Sequence, residues 1–362
     1  MARHHARRGK NQKSINLALQ GGGAHGAFTW GVLDKIFEDN RLWIEAISGT
    51  SAGAMNAVVA SQGMFEGAGP GARQAMHDFW REVSRLGAFS PVRRSFLDRV
   101  AGNWSMDNSP GYVFMDLLSR VASPYELNPF NINPLRDMVD NFIDFDKVRD
   151  AEDMPIYVAA TNVETGRVRV FSREELTIDV LMASACLPTM FQAVEIDGVP
   201  YWDGGFMGNP PLFPLIDDSP SDDIVIVQIN PVTRPGTPKT AAEIMNRVNE
   251  ITFNSSLLAQ LRGIDFVHRL IGGGMLREGD YRDMKVHIIH SRKRMRPLTA
   301  SSKMNSEWRF LKYLRDIGRD AAELWLAESY DRLGKESTVN LREMFMPPGK
   351  APSIEEALET RG

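Results

Sequence analysis

Residues 15–26 read INLALQGGGAHG, and residues 43–56 read WIEAISGTSAGAMN. Each is a short apolar run that breaks at small residues and passes into a helical pattern. In the first, Ile15 to Gln20 meets Gly21, Gly22 and Gly23. From about Ala27 to Glu38, apolar residues then recur at Phe28, Val32, Ile36 and Phe37, the spacing of one helix face. In the second, Trp43 to Ser48 is the strand and Ala52 to Ser61 the helix. Strand, tight turn and helix, given twice, predict a mostly parallel central sheet covered on both faces: a three-layer α/β/α sandwich.

The pattern continues down the chain. Ile156 to Asn162 reads as a strand, with Val168 to Phe171 as its partner across Glu164–Gly166. A helix is expected from about Leu176 to Ala185, stopped by Pro188. Val194–Ile196 and Val199–Trp202 pair across Asp197 and Gly198, a strong hairpin signal. Ile224 to Asn230 is a core strand, Ala241 to Ile271 a long helix, and Lys285 to His290 the last strand. Met304 to Leu333 reads as an amphipathic helix with Leu311, Leu314, Ile317, Ala321 and Leu324 on one face. Residues 84–135 differ, with Pro, Asn and Ser among the exposed-looking aromatics Phe89, Phe96, Trp104, Tyr112, Phe114, Tyr125 and Phe130. They read as an insertion over the sheet: a lid, part of an acyl pocket, or a structural satellite. The expected division is a basic flexible arm at 1–14, a main domain at 15–216, an extension on the same sheet at 217–334, and a surface tail at 335–362 carrying Pro347, Pro348 and Pro352.

The 362 residues are 43% hydrophobic and 24% charged, with a formal net charge of −4, which gives no global pull toward nucleic acid or membrane. A single cysteine, Cys186, excludes an internal disulfide and a Cys-rich metal site; it reads as a buried thiol in a core helix. No run approaches the roughly 18 apolar residues of a spanning helix. The N-terminal arm, with Arg3, Arg7, Arg8, Lys10 and Lys13, leads into no long apolar stretch, so no signal peptide is read. A cytoplasmic protein is expected, a peripheral visitor to membranes at most, with the arm taken as a solvated tail. The oligomeric state is left open.

Three motifs carry chemistry. Gly49-Thr50-Ser51-Ala52-Gly53 is a G-x-S-x-G on a strand-to-helix turn, the arrangement that exposes a nucleophilic hydroxyl. Gly21, Gly22 and Gly23, then Ala24, His25 and Gly26, offer backbone N–H groups clear of side chains, as an ester hydrolase needs for its oxyanion. The N–H of Ala52 is the natural second donor. Asp203-Gly204-Gly205 follows a strand, where a carboxylate can approach a serine hydroxyl and act as general base. Gly21, Gly23 and Gly26 also satisfy G-x-G-x-x-G, so a dinucleotide site is the sharpest rival. That rival needs an acidic residue ending the second strand, where Ile47 and Ser48 stand, with Glu45 inside the strand. A Ser-Asp-His triad would recruit His290, with His287 and His268 behind it. Because His290 leads into the basic run 291–294 rather than a loop, a surface role is read for it in place of a triad. His25 is read as either a phosphate ligand or a helix cap.

Taken together, LALQGGGAHGAF (17–28), GTSAGAMNA (49–57), ASACLPTMFQAVEIDG (183–198) and YWDGGFMGNPP (201–211) resemble the successive signature blocks of the patatin-like phospholipase family. The resemblance covers roughly residues 15–216 and loosens beyond. It implies a sandwich related to α/β-hydrolases, with Ser51 as nucleophile, Asp203 as base, and Gly21, Gly22 and Gly23 at the oxyanion. It implies phospholipid, lysophospholipid or other acyl-ester substrates, transient contact with a membrane surface, and no cofactor or metal. A lipid transacylase using the same residues and a non-catalytic lipid-binding module remain as alternatives.

Overall fold

β1 (Lys13–Leu19) shows why the chain folds in layers. Its alternate residues Ile15, Leu17 and Leu19 enter one apolar cluster, while Ala18 enters a second on the other face. A strand buried on both faces needs a helical layer on each. In the computed structural model, described here for residues 8–345 apart from Lys10, Phe89, Pro91, Arg120, Glu152, Asp153 and 277–280, those layers are present. Most of the expected arm, Phe89 and the three tail prolines lie outside the described residues.

The sheet contains β1, β2 (Leu42–Gly49), β3 (Ile156–Asn162), β4 (Val168–Phe171), β5 (Val194–Ile196), β6 (Val199–Asp203), β7 (Asp223–Val227) and β8 (Lys285–Ile289). Their order is β5-β6-β3-β2-β1-β7-β8, with β4 also paired to β3. The five strands from β3 to β8 in that order are parallel; β4, β5 and β6 run antiparallel to their partners. The mostly parallel α/β/α sandwich is therefore the fold. One layer holds the helices Gly26–Asp39, Ala52–Gly87 and Trp308–Ser329 over Val225, Val227 and the odd residues of β1. The other holds Ala241–Gly272, whose Leu257, Leu261 and Ile264 cover Ile224, Ile226, Val286 and Ile288. Gly31 and Gly318 let Gly26–Asp39 and Trp308–Ser329 cross almost in backbone contact, since a Cβ on either would strike the other helix's carbonyl.

Several sequence boundaries are corrected. The helix after Ser51 continues to Gly87, broken at Gly67 and Ala68 before Pro70; the glycine-rich stretch interrupts the hydrogen-bond ladder without ending the element. The helix expected to run to Ala185 is Ile178–Ser184, capped by the Thr177 side chain. It ends before Pro188, so Cys186 lies just beyond a helix, buried, its Sγ donating to the Gln192 carbonyl at 3.0 Å. The core strand β7 stops at Val227, and residues 228–230 turn toward the glycine run. Met304–Leu333 is an α-helix only over Trp308–Ser329, between two 3-10 turns. Leu324 points outward at 59% exposed, while Trp325 and Leu326 are buried in its place. Residues 84–135 begin in the last turn of Ala52–Gly87, continue through the short helices Phe96–Val100, Pro110–Leu118 and Pro124–Leu127, and end in the first turn of Pro134–Phe142. Phe114, Tyr125 and Phe130 are exposed there, but Trp104 packs on Phe310 and Tyr313. Among the described residues, no helix is long and apolar enough to cross a membrane.

Candidate active site

One strand brings the two candidate residues together. Along β3, Val158 pairs with Gly49 of β2 on one side and with Phe171 of β4 on the other. Two residues on, Ala160 pairs with Arg169 of β4 and with Asp203 of β6. Because β4 occupies the same edge in both pairings, β2 and β6 share the opposite edge, end to end. Gly49 and Asp203 are thus separated along that edge by about 7 Å, the rise of two strand residues. Ser51 follows Gly49 by two positions, and its hydroxyl lies near enough to the Asp203 carboxylate to lower that group's pKa.

Ser51 adopts φ 54° and ψ −123°, a region that non-glycine residues rarely occupy and that stores strain. The surroundings enforce it. Its N–H donates to Ser184 Oγ at 2.8 Å, Thr50 Oγ1 donates to the Gly208 carbonyl at 2.5 Å, and Ser48 Oγ donates to the Pro211 carbonyl. Gly53 and Gly49 are close-approach positions: a Cβ would lie 2.2 Å from the Leu19 oxygen and 2.8 Å from the Ala54 nitrogen, respectively. Ser184 was not anticipated from sequence. Ser184→Ala would leave the buried Ser51 N–H unpaired, and thermal or denaturant unfolding is expected to register a loss of about 1–3 kcal/mol. Stability equal to that of the wild type would mean that the elbow holds its shape without this bond.

Asp203 is 2% exposed. Burial pushes its carboxyl up to about 7, against the Gly205 N–H, the Ser51 hydroxyl and the charge of Lys303, all of which pull it down. Gly205 N donates to Asp203 Oδ1 at 2.7 Å. Gly204 lies against the backbone of β3 and Gly205 against the Phe253 ring, neither with room for a Cβ. A carboxylate poised near neutrality within reach of a hydroxyl has the properties of a general base.

The glycine run differs in part from expectation. The N–H of Gly21 is already taken, donating to Asn209 Oδ1 at 2.7 Å. Gly21 serves instead as a contact surface, its missing Cβ making room for Thr50 and Ser51. Among the described residues, no hydrogen bond takes up the N–H of Gly22, Gly23 or Ala52, so these three backbone donors, two in the glycine run and one directly after Ser51, are free. Gly23 has φ +55° and touches the Lys303 carbonyl, while Gly26 packs on Ala52 and Trp80.

Behind the cradle lies a buried amide network that no sequence motif singled out. Gln20 Oε1 accepts from the N–H groups of Ile229 and Asn230, both at 2.9 Å. Asn230 Nδ2 donates to the Gly21 carbonyl at 2.9 Å, and Lys303 Nζ donates to Asn230 Oδ1 at 2.7 Å. Asn254 and Asn209 complete it through Gln20 Nε2.

The histidines lie elsewhere. His25 is buried, held near 3 by burial and then by Lys303, and bonded to Ser302 Oγ at 2.7 Å. It is a neutral core residue, which removes the phosphate-ligand role, and its side chain makes no capping bond. His287 bonds Asp223 at 2.9 Å and His268 bonds Asp283 at 2.7 Å. His290 is half-buried rather than on the surface, and its Nδ1 is unsatisfied. The groups acting on Asp203 are Gly205, Ser51 and Lys303, none of them a histidine. The dinucleotide reading also lacks its acidic residue: Glu45 accepts from Ser14 Oγ at 2.8 Å within the sheet. Among the described residues, no three His, Cys, Asp or Glu side chains are grouped to hold a metal ion.

A family model described as Patatin-like phospholipase matches residues 17–216. Searched against curated proteins, the chain has no match. Among solved structures, it is similar to VipD from Legionella pneumophila at 14% identity and a TM-score of 0.38, over 88% of this chain and 67% of that one. It is similar to the type III effector ExoU at 15% identity and a TM-score of 0.35, over 88% of this chain and 53% of ExoU. The match to ExoU in its complex with SpcU from Pseudomonas aeruginosa has 13% identity and a TM-score of 0.35, over 88% of this chain and 52% of that one. The chain thus spans about half the length of ExoU.

Proposed function

The chain belongs to the patatin-like phospholipase family, and from that premise we propose that it hydrolyses acyl esters of phospholipids or lysophospholipids through a Ser51–Asp203 dyad and an acyl-enzyme. The observation that carries this reading is the strained Ser51 hydroxyl facing a buried carboxylate whose pKa lies near neutrality. Asp203 accepts the hydroxyl proton as Ser51 Oγ attacks the ester carbonyl. The free N–H groups of Gly22, Gly23 and Ala52 receive the developing oxyanion. The alcohol or lysolipid leaves with the proton from Asp203, and water then attacks the acyl-serine with Asp203 again as base.

Contact with a lipid surface belongs to the same reading. In Pro110–Leu118, no residue is buried, and Val113, Phe114, Met115 and Leu117 are exposed. Apolar side chains left in water at this density mark a surface that meets something apolar.

The test is a panel of phospholipids, lysophospholipids and short p-nitrophenyl esters, run with Ser51→Ala as control and with an added acceptor alcohol. Free fatty acid produced only by the wild type supports the hydrolase. Acyl transfer to the alcohol in preference to water would replace it with a transacylase. Absence of turnover together with no fluorophosphonate labelling of Ser51 would leave a lipid-binding module.

A further inference from the structure

Lys303 turns its amine inward rather than to water. It lies in the 3-10 turn Ala300–Met304, and it is half-buried. Burying an ammonium is costly unless something inside compensates for it. Two contacts attach it to the candidate site: its carbonyl lies against Gly23, and its Nζ donates to Asn230 Oδ1 at 2.7 Å. The Asn230 amide in turn donates to the carbonyl of Gly21. The amine also lies 5.9 Å from the centre of the Phe253 ring, the ring that fills the space beside Gly205.

We propose that Lys303 is a positioning residue of this site: its ammonium, tied to the glycine cradle through Asn230, keeps the Asp203 carboxylate charged and ready to accept the Ser51 proton. The proposal rests on the reading of Asp203 as the base.

Asp203 at the end of β6 and Glu250 of helix Ala241–Gly272 raise the Lys303 pKa; Arg234, in the loop after β7, lowers it. Glu250 is itself paired with Arg234 at 2.6 Å and Arg247 at 3.1 Å, so much of its charge is committed. His25 is neutral, and the Cys186 thiol, pushed up to about 12 by burial and then by Asp203, stays protonated. Lys303 is thus the cation acting on Asp203. Burial brings the Lys303 amine down to about 8, against about 7 for Asp203, so both groups are charged together only in a narrow window between those values. Above it the amine loses its proton, and the carboxylate loses its counter-charge.

The test uses the full chain labelled with 13C at the aspartate carboxyl carbon, with the Asp203 signal assigned by its absence in Asp203→Asn. Wild type, Lys303→Met, Lys303→Gln and Lys303→Arg are titrated. In Met and Gln the Asp203 midpoint is expected to rise by about one pH unit, and in Arg to stay at the wild-type value. Equal midpoints in all folded variants would overturn the proposal. Should the neutral variants fail to fold, Lys303→Arg still decides: the rate of ester cleavage or of Ser51 labelling climbs as Asp203 becomes charged, and with a guanidinium in place of the ammonium that climb is expected to keep its wild-type midpoint near pH 7. A midpoint displaced upward by about one unit would overturn the proposal as surely. The titration needs no turnover, so a protein that cleaves no ester would sink the functional reading while leaving this coupling measurable.

Discussion

Ser51→Ala is expected to cut hydrolysis of any accepted ester by about 10⁴-fold or more, with the fold intact. The hydroxyl is the only atom lost, and its partner is Asp203. The backbone at φ 54° and ψ −123° is held by groups the substitution leaves in place: the Ser51 N–H on Ser184, the Thr50 hydroxyl on Gly208, and the packing of Gly53 against Leu19. Alanine and serine meet similar steric conflict at positive φ, so thermal unfolding should shift little. The informative result is therefore a pair: activity gone, melting temperature kept. Activity within tenfold of the wild type would remove Ser51 from the mechanism. Activity lost together with the cooperative transition would mean only that the elbow had collapsed.

Removing the carboxylate should separate activity from stability in the opposite direction. Asp203→Asn is expected to lose nearly all turnover and to gain stability at pH 8. An aspartate in the unfolded chain ionises near 3.8, whereas burial holds that of the folded protein near 7. Between those values the unfolded chain releases a proton that the folded one retains, so folding becomes less favourable as pH rises from about 4 to 7, and the deficit is then constant. An amide has no such deficit. At about 1.4 kcal/mol per unit, the shift corresponds to roughly 4 kcal/mol, trimmed because Lys303 loses a counter-charge; a gain of about 2–4 kcal/mol is expected at pH 8 and none near pH 4. Paired melts at the two pH values measure it, and a variant no more stable than the wild type at pH 8 would contradict the burial argument. The same raised carboxyl gives the wild type a rate that climbs with pH through about 7, as the base becomes charged.

What the sequence determined by itself was local. A strand buried on both faces, a turn of small residues and an amphipathic helix are all written within about 20 consecutive residues, because side-chain periodicity and turn chemistry act at that range. This is why INLALQGGGAHG and WIEAISGTSAGAMN could be read as two units of a layered α/β fold, and why Ser51 and Asp203 could be singled out. It is also why boundaries failed where local signals compete: Gly67 and Pro70 look like a helix stop but lie within a helix that resumes, and Leu324 has the right spacing yet faces water. Only the tertiary structure decided what meets what. The shared edge of β3, on which β2 ends two residues before β6 begins its pairing, is a fact of register between segments distant in the chain. The same holds for Asn209 taking the Gly21 N–H, Ser184 fixing the elbow, and Lys303 reaching the cradle through Asn230. Hydrogen bonds and charges buried at such contacts are set by proximity in space, and nothing in the periodicity of a single segment records which distant residue will arrive beside it.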